Sequence, residues 1–417
     1  MRFVADLHIH SKYARATSPD MNLENLDVWA DKKGIDVISA ADFTHPAWFK
    51  ELSKKLEEAE QGLYKLKGSL LKTRFILTTE VSCIYSKNNK VRRIHLLIFA
   101  PSLAVVEKIN AQLGIRGKLA SDGRPILGMD AKDILKIALD ASPECMIVPA
   151  HAWTPWFSIF GSKSGFDTIE ECFDEYTKYI TAIETGLSSD PQMNWRLSAL
   201  DNITLISNSD SHSLPKIGRE ANIFNTDKTY NGIADVLKTK NKDKFLFTVE
   251  FFPEEGKYHY DGHRLCNVSF APAESKKHKN LCPTCKKPLV IGVLNRVEEL
   301  ADRKDGEKPE NAIPFKSLIP LQEIIAEAFG VGVSTKRTQE EYEKLVSSLK
   351  NEFYVLLDAT PEELKDTASP EVAEGIMRVR EGKVKIEPGY DGEYGKIAIF
   401  KEGERENIAI EQQRTLL

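Results

Sequence analysis

Residues 2–10 read RFVADLHIH, an apolar, strand-like run that ends in two histidines. Successive side chains of a β-strand point to opposite faces, so His8 and His10 project from the same face. Two imidazoles side by side at the end of a strand can bind one metal ion. The run therefore predicts a strand that carries metal ligands at its carboxyl end.

The same arrangement recurs in three later segments of the first half of the chain. RFILTTE, MIVPAH and ITLISNSDSH are apolar runs that end at Glu80, at His151, and at Asp210 with His212. Polar ligands at the carboxyl ends of several strands are typical of the active site of a βα-barrel enzyme. The recurrence carries this prediction, because a lone histidine in an apolar run is often a packed core residue.

Strand-like and helical patterns alternate along this half of the chain. One helix is expected between Asn22 as its N-cap and Gly34 as its stop, and another begins at Asp130. Seven strands alternating with helices predict an α/β fold of parallel βαβ units, and a closed barrel would bring the ligands together. The predicted strands are 3–8, 35–40, 75–80, 93–99, 146–150, 180–184 and 203–207.

The length of 417 residues exceeds the size at which a single core stops growing, so more than one domain is expected. We predict the barrel over residues 1–225, a zinc-binding domain over 226–300 and a mainly helical C-terminal domain over 301–417. A segment near the end, EPGYDGEYGKIAIF, is glycine-rich and is predicted to form a hairpin.

The composition, with 41% hydrophobic and 29% charged residues, is that of an ordinary globular protein. No apolar run is long enough to cross a bilayer and the N-terminus lacks a signal-peptide layout, so a cytoplasmic protein is expected. The net charge of −5 argues against indiscriminate adhesion to nucleic acid. It does not exclude a phosphate-bearing substrate, because bound divalent ions supply strong local positive charge.

The candidate ligands in the barrel combine imidazoles with carboxylates, and Glu80 could bridge two ions. This mixture suits zinc, manganese or iron better than calcium or magnesium alone. For His95, which lies inside the apolar run RIHLLIFA, a core histidine is the alternative interpretation. The full candidate set is His8, His10, Asp42, His45, Glu80, His95, His151, Asp210 and His212.

A second metal site is predicted from two short motifs, HRLC and CPTC, that lie farther along the chain. They place His263 with Cys266, and Cys282 with Cys285, at the spacing of a tetrahedral Cys3His zinc site. His259 and His278 also lie near, and His263 is favoured as the fourth ligand by its spacing. With four protein ligands this zinc would be structural. Reduced thiols without metal are the alternative.

The order of the motifs DLHIH, ADFTH, LTTE, RRIH, PAH and NSDSH resembles the polymerase and histidinol phosphatase (PHP) superfamily of metal-dependent phosphoesterases. The resemblance implies a distorted (βα)7 barrel with two or three metal ions and hydrolysis of a phosphoester. It assigns the ligands by ion: His8, His10, Glu80 and Asp210 to the first, Glu80, His95 and His151 to the second, and His45 with His212 to a third. Catalysis would then rest on His8, His10, Glu80 and Asp210.

Aromatic and basic side chains near these motifs are candidates for substrate binding. Aromatic rings can stack on an unpaired or flipped base, and arginines can hold phosphate oxygens. Packing of the barrel rim is the alternative role for the aromatic residues. The candidates are Tyr13, Arg15, Trp153, Trp156, Phe157 and Arg219.

Nearly the whole chain is similar to the endonuclease Q family of DNA repair nucleases, through DLHIHSKYARATS, PAHAWTPWFSIFGSKSGFD, EEGKYHYDGHRLC and CPTCKKPL. This resemblance implies incision of DNA on the 5′ side of deaminated bases (uracil, hypoxanthine, xanthine) and of abasic sites, with the damaged nucleotide flipped towards the metals. The expected cofactors are zinc in both sites, with magnesium or manganese as candidate catalytic ions. A cytoplasmic location at the nucleoid follows.

Some relatives in that family bind the sliding clamp through a C-terminal peptide, and Gln413 with Leu416 begin such a pattern without its aromatic residues. A small-molecule phosphate monoester phosphatase is the alternative function. A non-catalytic nucleic-acid-binding protein is a second alternative, which the filled ligand set disfavours.

Overall fold

The computed structural model describes residues 1–401 and 403–405, and it has the predicted mixed α/β character. Gln413 and Leu416, and with them the predicted clamp peptide, lie outside the described residues. The first half of the chain contains β1 (Arg2–Asp6), α1 (Leu23–Lys33), β2 (Val37–Ser39), α2 (Pro46–Lys55), β3 (Leu56–Glu60), β4 (Leu63–Leu66), β5 (Arg74–Ile76), β6 (Thr78–Lys87), β7 (Lys90–Phe99), α3 (Leu103–Gly114), β8 (Ile126–Leu127), α4 (Ala131–Ala141), β9 (Met146–Pro149), α5 (Ile169–Phe173), β10 (Ala182–Glu184), α6 (Pro191–Trp195), β11 (Thr204–Ile206) and β12 (Ala221–Asn225).

The second half of the described chain begins with one helix and one strand and ends in a helical region with a hairpin. Its elements are α7 (Tyr230–Thr239), β13 (Phe245–Glu250), β14 (Asp261–His263), β15 (Val268–Phe270), α8 (Pro272–Lys277), α9 (Val293–Leu300), β16 (Phe315–Ser317), α10 (Leu321–Phe329), α11 (Lys336–Ser348), α12 (Pro361–Thr367), α13 (Pro370–Arg380), β17 (Lys385–Glu387) and β18 (Lys396–Ala398). The antiparallel pair β17–β18 confirms the predicted terminal hairpin.

Local sequence signals explain where the first helices begin and end. The side chain of Asn22 accepts a hydrogen bond from the backbone of Asn25, which caps α1. Gly34 ends α1 in the left-handed conformation, with a φ of 84°. Asp130 caps α4 in the same way as Asn22 caps α1, by accepting from the backbone of Lys132. These predictions are confirmed.

The strands form one eight-stranded sheet and several smaller ones. The large sheet has the order β16-β13-β12-β1-β2-β5-β4-β3, a four-stranded sheet has the order β8-β6-β7-β9, and β10 pairs with β11. In the part of the chain that the structure describes, strand pairing thus gives separate sheets. The α/β class is confirmed, and closure of a (βα)7 barrel stays a prediction.

The expectation of parallel βαβ construction is wrong for several strand pairs, and the predicted strands β7 and β9 run antiparallel. The pairs β1–β2, β2–β5 and β10–β11 are parallel, whereas β6 and β7 form an antiparallel hairpin and β12 runs antiparallel to β1. The hairpin turn consists of Asn88 and Asn89, which have φ values of 55° and 58°. Two asparagines with positive φ are typical of a two-residue hairpin turn, and the sequence pattern alone did not separate this turn from a longer connection.

The segment after β1 is fixed to the segment after β11, and this brings two predicted motifs together. The backbone N–H of Asp210 donates to the carbonyl of His8 at 2.9 Å, and that of His10 donates to Ser211 at 2.9 Å. The buried carboxylate of Asp6 accepts from the backbone of Ser209 at 3.1 Å. Burial raises the pKa of Asp6 to about 6, although hydrogen bonds such as this one lower it. Two chain segments about 200 residues apart therefore lie side by side.

The C-terminal helices pack directly on the first half of the chain. The ammonium of Lys33, at the end of α1, contacts the carboxylate of Glu352 at 2.9 Å, and both side chains are buried. The hydroxyl of Tyr342 donates to the same carboxylate at 2.8 Å. The boundaries of the three domains stay a prediction. Among the described residues, no helix combines the length and hydropathy needed to span a bilayer.

Candidate metal centre

The first ligand cluster lies where the segments after β1 and β11 meet β6. Ligand atoms of His8, His10, Glu80 and Asp210 all lie within 4.8 Å of one another. Nε2 of His10 is 3.2 Å from Oε2 of Glu80 and 3.1 Å from Oδ1 of Asp210. The corresponding distances from Nε2 of His8 are 3.7 and 3.6 Å. Two atoms bound to one ion at about 2.1 Å in tetrahedral geometry lie about 3.4 Å apart, so these spacings fit a shared cation.

The second ligand cluster uses the other oxygen of Glu80. Oε1 of Glu80 lies 2.7 Å from Nδ1 of His95 and 3.0 Å from Nε2 of His151. The two imidazole nitrogens are 3.1 Å apart. Glu80 is therefore placed between two groups of nitrogen ligands, as a carboxylate that bridges two ions would be.

Three polar atoms in the first cluster are buried without a hydrogen-bond partner: Nε2 of His8, Nε2 of His10 and Oδ1 of Asp210. Burying a polar atom without a partner is costly, and such atoms mark an absent ligand or water. All three belong to the converging set. The residues present therefore fit a bound divalent cation.

Electrostatics within the clusters also favour cations. Burial opposes charge on every group, yet the pKa of Glu80 is held well below its usual value by His95 and Arg124. The carboxylates Glu184 and Asp210 raise the pKa of His8 against the effect of burial. A metal ion would replace the protons that this group of carboxylates attracts.

Two of the ligand residues have an unusual backbone. The φ values of His151 and Asp210 are 30° and 45°, in the left-handed region that residues other than glycine rarely adopt. Close packing holds His151 in place, because a Cβ atom on Gly186 would lie 2.5 Å from the Cβ of His151. Backbone strain of this kind is concentrated at functional sites.

Two buried carboxylates support the ligands from behind, and sequence reasoning gave neither of them this role. Oε1 of Glu184 lies 3.0 Å from Nδ1 of His8. Oδ1 of Asp42 lies 3.0 Å from Nδ1 of His10, and its other oxygen accepts from the backbone of Ser11 at 2.6 Å. Carboxylates in this position fix the tautomer and the orientation of a metal-binding imidazole.

Asp42, which was predicted as a ligand, is in none of the ligand groups found among the described residues, and its oxygens contact His10 and Ser11 in a supporting position instead. His45 and His212 are also placed outside the ligand groups found among the described residues. The ring of His45 stacks on Tyr13 with 4.4 Å between centroids. Nδ1 of His212 lies 3.0 Å from the backbone carbonyl of Asp210. The third ion implied by the resemblance stays a prediction.

Arg124 is a site residue that the sequence did not reveal. Its Nη1 lies 3.0 Å from Oε2 of Glu80, the oxygen that faces the first cluster. The backbone N–H of Arg124 donates to Asp122 at 3.0 Å, and that of Gly123 donates to the carbonyl of Tyr13 at 3.0 Å. A Cβ atom on Gly123 would collide with Asp42, so only glycine lets this loop approach so closely.

The cysteine motifs assemble a separate cluster. Ligand atoms of His263, Cys266, Cys282 and Cys285 lie within 4.8 Å of one another, and Nδ1 of His263 is 3.6 Å from Sγ of Cys285. Although burial opposes ionisation, the backbone N–H groups of Cys285 and Thr284 lower the pKa of the Cys282 thiol to about 6. This donor set and this tight turn fit a tetrahedral Cys3His zinc site.

Of the three histidines considered for this cluster, the geometry selects His263. His259 is 5% exposed and belongs to none of the groups of ligand atoms. His278 stacks on Phe270 with 5.1 Å between ring centroids, and its Nε2 lies 3.3 Å from Glu274.

The predicted aromatic contacts divide into core and surface residues. Trp153 is 1% exposed and donates from Nε1 to Asn194 at 2.8 Å, so it packs in the core and its prediction as a stacking residue is corrected. Trp156 is 42% exposed. Phe157 is half-buried, with its ring centroid 4.7 Å from that of His95. The hydroxyl of Tyr13 donates to Glu51 at 3.0 Å.

The two predicted arginines differ in their exposure. Arg15 is exposed on the loop beside Asp122, which accepts its backbone N–H at 3.2 Å. Arg219 is half-buried and donates from Nε to the carbonyl of Ser209 at 2.9 Å, next to Asp210. Both lie beside segments that carry ligands.

Sequence comparisons connect the chain to two proteins without a described function. Residues 320–383 match the family model of the MJ0043 C-terminal domain. The uncharacterized protein MJ0043 of Methanocaldococcus jannaschii is 36% identical over 272 residues, which are 63% of this chain and 33% of that protein. The chain thus spans about a third of the length of this relative. The uncharacterized protein YqxK of Bacillus subtilis is 29% identical over 411 residues, 95% of this chain and 99% of YqxK.

Two solved structures match along nearly the whole chain. The lesion-specific endonuclease PfuEndoQ from Pyrococcus furiosus has a TM-score of 0.86 and 30% identity, covering 100% of this chain and 99% of that chain. Endonuclease Q in complex with a 27-mer duplex substrate, with an abasic lesion at the active site, has a TM-score of 0.83 and 32% identity, covering 96% and 98%.

The shared fold and the two clusters of metal-ligating side chains define the chain as a metal-dependent endonuclease. Because it matches the Pyrococcus enzyme at 30% identity over almost the full length of both chains, it belongs to the endonuclease Q family.

Proposed function

We propose that this protein is a DNA repair endonuclease that cuts the backbone on the 5′ side of deaminated bases (uracil, hypoxanthine and xanthine) and of abasic sites. The observation that carries the proposal is the convergence of buried, unpaired ligand atoms from His8, His10 and Asp210 on Glu80. The full-length similarity to an enzyme solved with an abasic duplex supports DNA as the substrate.

Two divalent cations are proposed to bind here, one to His8, His10, Glu80 and Asp210, and the other to Glu80, His95 and His151. Bound in this way, they would act as Lewis acids that neutralise the phosphate and stabilise the leaving oxygen. The role of the protein is to fix these ligands before the substrate arrives. Glu184 does so through His8, and Asp42 does so through His10.

Arg124 is proposed to bind a non-bridging oxygen of the scissile phosphate. Its guanidinium points at Glu80, and the pinned loop around Gly123 leaves it beside the first cluster. A cation bound to Glu80 would repel the guanidinium of Arg124. The guanidinium would then be available to bind an anion. Arginine suits this role because its planar fork matches phosphate geometry.

The damaged nucleotide is proposed to leave the base stack and enter the site near the metals. Extrusion costs less for a mispaired or missing base, and this difference supplies part of the selectivity. Phe157, which lies beside His95, is the aromatic residue proposed to meet an extruded base. The Cys3His cluster is proposed to hold a structural zinc ion.

The direct experiment compares 5′-labelled duplexes that contain one uracil, one hypoxanthine, one abasic site or no lesion, with magnesium, manganese or zinc added. We expect a cut 5′ to each lesion and an intact control duplex. Asp210→Asn should abolish cleavage, whereas Asp140→Asn, a change at an exposed aspartate far along α4, should not. Hydrolysis of phosphate monoesters by a protein that leaves every duplex intact would support the small-molecule phosphatase instead.

A further inference from the structure

Three large apolar side chains lie exposed on segments that are far apart in the sequence. Leu265 is 83% exposed, Tyr394 is 71% exposed and Trp156 is 42% exposed. Single exposed apolar residues are common on protein surfaces and need no function. These three are different, because contacts between their neighbouring residues join them into one surface, which we call the ridge.

Trp156 and Tyr394 are joined through the chain that precedes the cysteine cluster. The ring of Trp156 meets the ring of Tyr258 edge-on, with 6.3 Å between centroids. The adjacent residue, Lys257, has its ammonium 4.4 Å from the ring centroid of Tyr394. Its carbonyl accepts the backbone N–H of Gly392 at 3.0 Å. Three rings and one cation therefore lie along this part of the ridge.

Leu265 joins the same surface through Arg264. The backbone N–H of Arg264 donates to the carboxylate of Asp391 at 2.7 Å. Nη1 of Arg264 lies within 3.5 Å of the position that a Cβ atom would take on Gly392. Leu265 itself lies between His263 and Cys266, two ligands of the Cys3His cluster. A metal ion in that cluster would therefore hold Leu265 in a fixed position.

The ridge is connected to the second ligand cluster of the metal centre. The carbonyl of Trp156 accepts from the hydroxyl of Thr154 at 2.8 Å. The same hydroxyl lies 3.2 Å from Nδ1 of His151, whose Nε2 faces Glu80. The Trp156 end of the ridge is therefore linked through Thr154 to a ligand of the second cluster.

The charge around Leu265 complements a nucleic acid. Residues 261–290 contain five lysines and one arginine but only Asp261 and Glu274 as acids, which gives a net charge of +4. The whole chain, in contrast, carries −5. A local positive patch on an acidic protein directs a polyanion to one face.

We propose that the ridge, formed by Trp156, Leu265 and Tyr394, enters duplex DNA at the lesion and takes the place that the extruded nucleotide leaves in the base stack. This proposal rests on the proposed function. Apolar side chains that enter a base step unstack it and bend the duplex, and flanking cations hold the phosphates. The ridge supplies both kinds of group, with Lys257 and Arg264 as the flanking cations.

The test compares duplex and single-stranded substrates of the same sequence, each with one abasic site. Leu265→Ala, Tyr394→Ala and Trp156→Ala are measured beside Leu70→Ala, which removes a side chain that is 99% exposed elsewhere on the surface. We expect each ridge variant to lower kcat/KM on the duplex by about tenfold, the size of a lost stacking contact. Cleavage of the single strand, which has no stack to fill, should stay within about twofold.

Equal losses on the two substrates, or no loss on the duplex, would overturn the ridge proposal. Thermal melting of each variant separates a folding defect from a lost contact, and Leu265→Met serves as a conservative variant that should restore duplex cleavage. Absence of cleavage by the unaltered protein would count against the proposed function and not against the ridge. In that case, fluorescence anisotropy measures the affinity of each variant for the abasic duplex. Unchanged affinity in all three ridge variants would contradict the ridge proposal.

Discussion

Glu184 and His8 are joined by a 3.0 Å contact between Oε1 and Nδ1, and both side chains are fully buried. The other oxygen of Glu184 accepts the backbone N–H of His151 at 2.8 Å. One carboxylate therefore orients a ligand in the first cluster and a ligand in the second. The amide of Asn208 donates to Glu184 at 2.9 Å and completes the support.

Changing Glu184 to Gln should weaken metal binding without removing a ligand. The amide cannot accept hydrogen bonds at both of its ends, so one of the two histidines loses its orientation. Loss of such an outer partner typically costs 10–100-fold in metal affinity, and we expect about that loss here. Calorimetric titration with Mn²⁺ or Zn²⁺ measures it, with the exposed Glu144→Gln as control. Equal affinities for the two variants would contradict a positioning role.

Replacing Arg124 with Met should change metal binding and cleavage in opposite directions. Removing the guanidinium leaves Glu80 without a competing cation, so metal affinity should rise. Cleavage of an abasic duplex should fall by about 100-fold, because the phosphate loses a charged hydrogen-bond partner. Arg116→Met, at an exposed arginine in the turn after α3, is the control and should change neither. A joint fall in metal affinity and cleavage would show that Arg124 supports the fold of the site instead.

Two buried carboxyls near the sheet should make stability fall as the pH rises. Burial, followed by the charge of Asp190, raises the pKa of Glu250 to about 8, and burial with the charge of Glu250 raises the pKa of Glu220 well above its usual value. The folded state therefore holds more protons than the unfolded chain between about pH 4.5 and 8. The contribution of these two groups to stability is complete below this range and decreases through it, by up to about 1.4 kcal/mol per pH unit for each proton.

The variant Glu220→Gln removes one of these titrations. We expect its melting temperature to decline less steeply than that of the unaltered protein between pH 5 and 9, and to be the higher of the two at pH 9. Calorimetric melting curves at several pH values measure this. Parallel declines would show that Glu220 does not titrate in this range.

Changing Cys282 to Ser should remove the zinc ion proposed for the Cys3His cluster, which would take no direct part in catalysis. The thiolate is a strong zinc ligand and serine is not, so the metal content should fall by about one equivalent per chain. Binding of Mn²⁺ to the other centre should persist, because its ligands come from different segments. Elemental analysis of the purified variant provides the measurement. An unchanged zinc content would contradict the Cys3His assignment.

Sequence reasoning succeeded where the chemistry is carried by short local patterns. The HIH pair and the capping signals of α1 each depend on a few neighbouring residues, and the structure has them as expected. RFILTTE is instead divided between β5 and β6, and Glu80 is the third residue of β6 and not the end of a strand. The full-length match to PfuEndoQ confirms the family that the motifs indicated.

Prediction from the sequence failed where the role of a residue depends on contacts between distant segments. Glu184 ends the short strand β10 like other candidate residues, but only its contact with His8 shows its role. Arg124 follows no strand pattern and reaches Glu80 because Gly123 packs against Asp42. Trp153 appears as suitable for stacking as Trp156 in the sequence, and only burial separates them.

The most direct test of the central claim is the cleavage of a 5′-labelled duplex with one abasic site by the metal-free protein, before and after Mn²⁺ or Mg²⁺ is added. We predict an intact duplex without metal and a single cut on the 5′ side of the lesion once metal is present, and this cut should be lost in Asp210→Asn. A duplex that stays intact with every divalent metal, although the protein binds those metals at His8, Glu80 and His151, would contradict it.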